Sequence, residues 1–443
     1  MDETLLHDLV RDALKAGADA AEAVIGERQS LSVGVRLGAL EEVEREEARD
    51  LGLRVFIGQR QATVSGSDIS AEARGKLLDR AINMARLAPE DPYAGFAPAD
   101  RLAHGPFIDL EMYDPAEPTP QTLEARALAA EDAARAVAGV TNSDGGHGAW
   151  SSAQYHMVTS GGFSGRHRAS TFSVYASAIA GDDNGMERGG DGRATRWQAD
   201  LPSPEAIGAE AGKRAVQRLG ARKIDSTTAP VIFEDRVAMS LISPLIGAIT
   251  GPSIARGASF LKDKLGQQVF SPAVTILDEP HRVRGLGSQP FDDEGVANAT
   301  TAIIDKGVLT TWLLNSASAR QLGMETTGHA SRGLAGPPGV GTTNLTVQPG
   351  ERDLEGLMAD AGEGLLVTSM FGPSLNGNTG DWSIGVAGWW FERGALAYPV
   401  TEITVAGNLI DIYARVVPGS DLKFHSSRNS PSLLVDGLAI AGR

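Results

Sequence analysis

Residues 331–350 read SRGLAGPPGVGTTNLTVQPG, and residues 378–409 read NTGDWSIGVAGWWFERGALAYPVTEITVAGNL. Glycine and proline interrupt short apolar segments throughout, the punctuation of β-strands joined by tight turns. In the second segment Glu392, Arg393 and Gly394 lie between apolar runs, as a hairpin turn with positive φ requires. The same arrangement occurs upstream in IIDKGVLTTWLL, where Asp305, Lys306 and Gly307 take the turn. The chain from about residue 230 onward is therefore expected to be mostly β, with helices near 236–250 and 354–361. Almost no acid–base chemistry lies in the two quoted stretches, so nothing in them announces a catalytic centre.

Towards the N-terminus the periodicity changes. Leu5, Leu6, Leu9, Val10, Ala13 and Leu14 share one face of a helix that Gly17 ends. Alternating strands follow around Leu31, Val33, Val35 and Leu37, then LRVFIG and QATVSG on either side of a Gly58-Gln59-Arg60 turn, and a helix over about 69–87. The acidic EEVEREEARD at 41–50 reads as a solvated strand and turn. Five prolines between 97 and 120 mark a linker. Beyond it, QTLEARALAAEDAARAV forms a helix, GAWSSAQYHMVTS and TFSVYASAIAG form strands, and PEAIGAEAGKRAVQRLG forms another helix. The glycine-dense GDDNGMERGGDGRA at 181–194 reads as a mobile loop. The expected class is α+β in three units: N-terminal α/β units with antiparallel sheets over 1–100 and 118–222, and a β-rich unit over 229–443.

Composition narrows the function. At 443 residues the chain holds two to three ordinary domains, and its longest apolar runs are far shorter than a membrane span. The N-terminal MDETLLHDLVRDALKAG is acidic and amphipathic rather than basic then apolar, so it is not read as a secretory signal and a cytoplasmic protein is expected. Without cysteine there is no disulfide, thiolate nucleophile or sulfur-ligated metal. The eight histidines never fall three to five residues apart, which excludes a helix-borne histidine pair. A net charge of −16 opposes nucleic-acid binding.

LGLRVFIGQRQATVSGSDIS, ARGASFLKDKLGQQVFS, DDEGVA and GVLTTWLLNSASARQLG, in this order and with the stretches above, resemble the TldD/PmbA family of bacterial peptidase subunits, in particular its PmbA (TldE) branch. In the active TldD-type subunit, a helix early in the last domain carries His-Glu-x-x-x-His, and a downstream cysteine completes a zinc site. The matching helix here is VIFEDRVAMSLISPLIGAITG, with Ser243 and Ala248 at the histidine positions and Pro244 at the glutamate position. The resemblance thus implies a non-catalytic subunit without a cofactor of its own. Its partner would be a zinc-bearing TldD-type subunit, together cleaving unfolded peptides, with a homodimer in isolation and neither nucleic acid nor membrane as ligand. It also carries the family's association with peptide-antibiotic maturation, antitoxin turnover and modulation of DNA gyrase. The alternative is an autonomous homodimeric metallopeptidase with a different site.

Other chemistry is sparse. His281 follows Asp278, Glu279 and Pro280, and His329 precedes Ser331, so a Ser/His/Asp set can be written on paper. GGFSGRH at 161–167 lacks the spacing of a nucleophile elbow, GLGSQP at 285–290 is too short for a phosphate loop, and Asp292, Asp293 and Glu294 read as a solvated turn. One positive signal remains. In GTTNLTVQPG, Thr342, Thr343, Asn344, Leu345 and Thr346 form a strand expected to offer a free edge to an extended peptide.

Overall fold

The computed structural model describes residues 2–182 and 185–443. Helix α1 (Asp2–Lys15) leads into β1 (Ala20–Arg36), β2 (Ala39–Ile57), β3 (Arg60–Gly66) and α2 (Ala71–Leu87). After an irregular stretch come α3 (Pro120–Arg135), β4 (Val140–Thr159), β5 (Ser164–Asp182), β6 (Gly185–Thr195) and α4 (Pro204–Val216). Thr119 and Ser203 cap their helices through side-chain oxygens, each followed by proline at the first helical position, whose missing N–H has no partner there anyway. Six long strands form one antiparallel sheet in the order β3-β2-β1-β4-β5-β6, so strands from before and after the irregular stretch share a sheet. Ala21, Ala23 and Ile25, and then Leu31, Val33 and Val35 of β1, pack under the helices, while Val24 packs on the opposite face with Met157, Phe163 and Phe291.

The segment expected as a loop at 181–194 is instead mostly β6; Asp183 and Asn184 lie outside the described residues. Its glycines serve close approach. A Cβ at Gly189 would stand 2.1 Å from the Ala215 backbone nitrogen in α4, and one at Gly190 would stand 2.5 Å from the Tyr175 hydroxyl. The proline-rich stretch is likewise tied down. Ala103 N–H donates to Gly295 O (2.8 Å), and Leu110 is buried, with its carbonyl accepting from Arg284 N–H (2.8 Å).

The remainder is built from β7 (Thr227–Phe233), α5 (Asp235–Ala248), α6 (Gly251–Ala255), β8 (Ile276–Asp278), β9 (Thr301–Asp305), β10 (Val308–Leu309) and α7 (Ser316–Leu322). It continues through β11 (Ala330–Ser331), β12 (Gly339–Val340), β13 (Leu345–Val347), α8 (Leu354–Ala361), β14 (Glu363–Leu375), β15 (Asp381–Glu392) and β16 (Ala395–Asn408). It ends with α9 (Leu409–Tyr413), β17 (Val416–Pro418), β18 (Arg428–Asn429) and β19 (Leu433–Ala441). Both expected hairpin turns form, with positive φ at Lys306 and Gly307 and at Arg393 and Gly394. The order β16-β15-β14-β7-β19 closes through a β16–β19 pairing into a five-stranded barrel. A second sheet runs β10-β9-β8-β13-β18. Helix α5 buries Ala238, Leu241, Ile242 and Leu245 in the core that receives Phe233, Trp382 and Ile384 from the barrel. No helix among the described residues is long and apolar enough to cross a membrane.

Candidate functional site

Helix α5 starts where β7 ends, with Glu234 N–H donating to Val367 O of β14 (3.0 Å). Its outward positions include Ser240, Ser243 and Gly247, which are exposed. The Ser243 hydroxyl donates to Met239 O (2.8 Å), Pro244 stands half-buried inside the helix, and Ala248 is buried with only a methyl group to offer. A bound hydroxyl, an imino-acid ring and a methyl do not fit a zinc ion, which takes imidazole, thiolate or carboxylate donors. His425, the imidazole at the other end of the helix, pairs through Nε2 with Asp235 (3.2 Å). Among the described residues no three His, Cys, Asp or Glu side chains converge as a metal site.

The strand expected to offer a peptide edge is closed on both sides. β13 pairs antiparallel with β8 and parallel with β18. Thr343 N–H donates to the Asp278 carboxylate (2.8 Å), and Asn344 Oδ1 accepts from Gly287 N–H (2.9 Å) while its Nδ2 donates to Glu279 O and Ser288 Oγ (2.8 Å each). Leu345 is fully buried, and Thr346 Oγ1 accepts from Arg282 (3.1 Å). Thr342 is half-buried, and its Oγ1 has no hydrogen-bond partner. In a strand only a few residues long, two neighbours consume the main-chain donors that a peptide would need. The GLGSQP loop uses its glycine for the same packing: a Cβ at Gly287 would stand 2.3 Å from Thr343 O.

The run Asp292, Asp293 and Glu294 is buried rather than solvated. Asp292 accepts from the N–H groups of Glu294 (2.9 Å), Val296 (2.8 Å) and Ala330 (3.0 Å), Asp293 from Arg332 N–H (2.9 Å), and Glu294 from Ser316 N–H (2.7 Å). Burial, reinforced by Glu294, pushes the Asp292 carboxyl up to about 8, and burial pushes Asp293 to about 6. This knot holds the start of the Gly/Pro loop, whose Arg332 forms a buried ion pair with Glu22 of β1 and whose Leu334 lies on Gly26 and Gly52. Beside the loop, a groove of about 400 Å3 crosses the sheet face past Tyr155 and His167. Burial, with Arg196 nearby, lowers the His167 imidazole to about 4 and keeps it neutral. The paper triad does not assemble: His329 contacts Asp278 (3.3 Å) and Thr327 (2.9 Å), whereas His281 contacts Asn298 (2.8 Å).

A free edge does exist elsewhere. β14 pairs with β7 only through Val367, while its pairing with β15 continues to Leu375. Residues 368–375 are therefore open on the side next to α5, with Phe371 and Leu375 exposed. The signal in TSMFGPSLNGN was Pro373, a residue confined to edges and bulges within sheets.

Three sequence profiles cover the chain: PmbA/TldA metallopeptidase domain 1 over residues 21–85, the central domain over 113–219, and the C-terminal domain over 226–442. The chain belongs to the PmbA/TldD metallopeptidase family. It is 36% identical to Metalloprotease PmbA of Escherichia coli O157:H7 over 99% of this chain and 96% of that one, and 35% identical to the PmbA homolog of Haemophilus influenzae over 97% and 94%. A Bacteroides thetaiotaomicron protein described as a candidate modulator of DNA gyrase superposes with a TM-score of 0.92 at 27% identity, covering 100% of this chain and 99% of that one. TldE from Thermococcus kodakarensis shares the fold, with a TM-score of 0.89 at 20% identity over 99% and 100% of the two chains. Within this PmbA-like chain, Ser243, Pro244 and Ala248 of α5 offer a hydroxyl already bound to Met239 O, a ring and a buried methyl.

Proposed function

We propose that the chain is the non-catalytic subunit of a two-component zinc peptidase, pairing in the cytoplasm with a TldD-type subunit that supplies the metal. The observation that carries this reading is the chemistry of α5: Ser243, Pro244 and Ala248, which the resemblance matches to the ligands and the base, present a bound hydroxyl, a ring and a buried methyl. The open β14 edge beside that surface supports a retained role in holding substrate. An extended peptide can pair with such an edge through main-chain hydrogen bonds, which suits unfolded substrates of varied sequence. On this reading the chain forms part of the wall of the cleavage chamber. The relatives' names attach the word metalloprotease to PmbA itself; the reading that follows, an autonomous homodimeric metallopeptidase, requires zinc ligands away from α5.

Metal analysis of the purified chain after dialysis separates the two. No stoichiometric zinc is expected, because the aligned positions offer no donor and the chain has no thiolate. About one tightly held zinc per chain would overturn the proposal.

A further inference from the structure

Strand β2 pairs with β1 over its length but with β3 only from Leu51 onward. Residues 39–50 therefore leave one side of the sheet open, and no strand among the described residues pairs with it. Residues 36–47 are exposed on both faces, because α3 covers β1 and β4 and stops short of β2. An edge this long and bare is a template for a further strand.

The side chains specify what would fit. Register places Leu40 opposite Val35 and Val43 opposite Val33, so both lie on the helix-layer face, where they are 50% and 47% exposed. Leu37 at the turn is 54% exposed and extends this apolar strip. On the other face Glu42, Glu44 and Glu46 alternate, all three exposed. The edge is also held ready. Leu37 and Gly38, both at positive φ, donate their N–H groups to the buried carboxylate of Glu131 in α3 (2.7 and 2.9 Å). Burial alone would raise this carboxyl, but hydrogen bonds from Ser143, Gly38 and Leu37 hold it below the usual carboxylate range.

We propose that residues 39–47 receive an extended segment of another polypeptide as an added strand, one that alternates apolar with cationic side chains. Its apolar residues cover Leu40 and Val43, and its lysines or arginines face Glu42, Glu44 and Glu46. A second copy of this chain is the wrong occupant, since edge-to-edge pairing would set these glutamates against themselves. The inference uses neither α5 nor zinc and stands independently of the peptidase reading.

The test uses the full chain and a fluorescent, end-blocked octapeptide in which lysine and valine alternate, long enough to span most of the edge. Comparison peptides are the same sequence N-methylated throughout, a block sequence with all its lysines before all its valines, and an alternating glutamate-valine octapeptide. Saturable binding of the alternating lysine-valine peptide is expected, with the three comparisons weaker by about tenfold or more. Glu42→Lys/Glu44→Lys should weaken binding by a similar factor, and amide exchange at residues 40–47 should slow in the complex. Equal binding of the N-methylated or block peptide would mean attraction by charge alone and would overturn the proposal. So would unprotected amides, or no saturation below about 1 mM. The peptide comparisons use the unaltered chain and so hold even if the double variant misfolds.

Discussion

At Asp292 three peptide N–H groups converge on one carboxylate, yet burial and Glu294 still push its carboxyl up to about 8. Asp293 shifts the same way, to about 6. Both lie above the ordinary unfolded value of 3.8, so the folded chain keeps protons that the unfolded chain has already released. The stability they contribute is complete below about pH 4 and is lost as pH rises towards about 8. Urea midpoints across this range should fall less steeply with pH in Asp292→Asn than in the parent. The variant should also be weaker at acid pH, because an amide nitrogen cannot accept from Ala330 N–H. Parallel pH profiles for the two proteins would contradict this account. Little of it was legible beforehand. Three consecutive acids look solvated in sequence, and their burial is created by Ala330, Arg332 and Ser316, which lie far along the chain. That Ser243, Pro244 and Ala248 offer no imidazole, thiolate or carboxylate, by contrast, is plain without coordinates, because donor chemistry belongs to residue type.

Among the elements, β6 shows why local composition misleads. Glycine density suggested a loop, but Gly189 is where α4 lies against the sheet, too close for any side chain. Gly189→Val should destabilise the protein by about 1–3 kcal/mol through overpacking. Gly75→Ala on α2, where a Cβ would meet nothing within 4 Å, should instead stabilise by about 0.5–1 kcal/mol. Thermal or urea midpoints of the two variants check this, and equal effects would mean that the close approach is not limiting. Strand β13 teaches a related lesson. The alternation in TTNLTV indicated a strand over its whole length, but only Leu345–Val347 forms one, and whether a strand is central or at an edge depends on neighbours that sequence does not name. The hairpins at Lys306-Gly307 and Arg393-Gly394 were legible because their turn geometry is set by adjacent residues.

The whole molecule sets a six-stranded sheet, with helices on one face, against a closed barrel and a second sheet, joined by the Gly/Pro loop and the Arg332–Glu22 pair. The α+β class followed from periodicity, and the β-rich C-terminal half from its glycine-punctuated strands. Continuity of the sheet from β1 to β4 did not, because that pairing bridges α2 and the proline-rich stretch. The family fold is kept over the whole chain, and the central claim, which we propose from the residue types at Ser243, Pro244 and Ala248, is that this chain acts as a subunit and not as an autonomous peptidase. The direct measurement is cleavage of an unstructured peptide by this chain alone, by a TldD-type subunit alone, by the mixture, and by a mixture whose TldD-type subunit lacks its histidine pair. Cleavage is expected only in the intact mixture and should be lost with chelator. Chelator-sensitive cleavage by this chain alone, or full activity of the TldD-type subunit without it, would contradict the account.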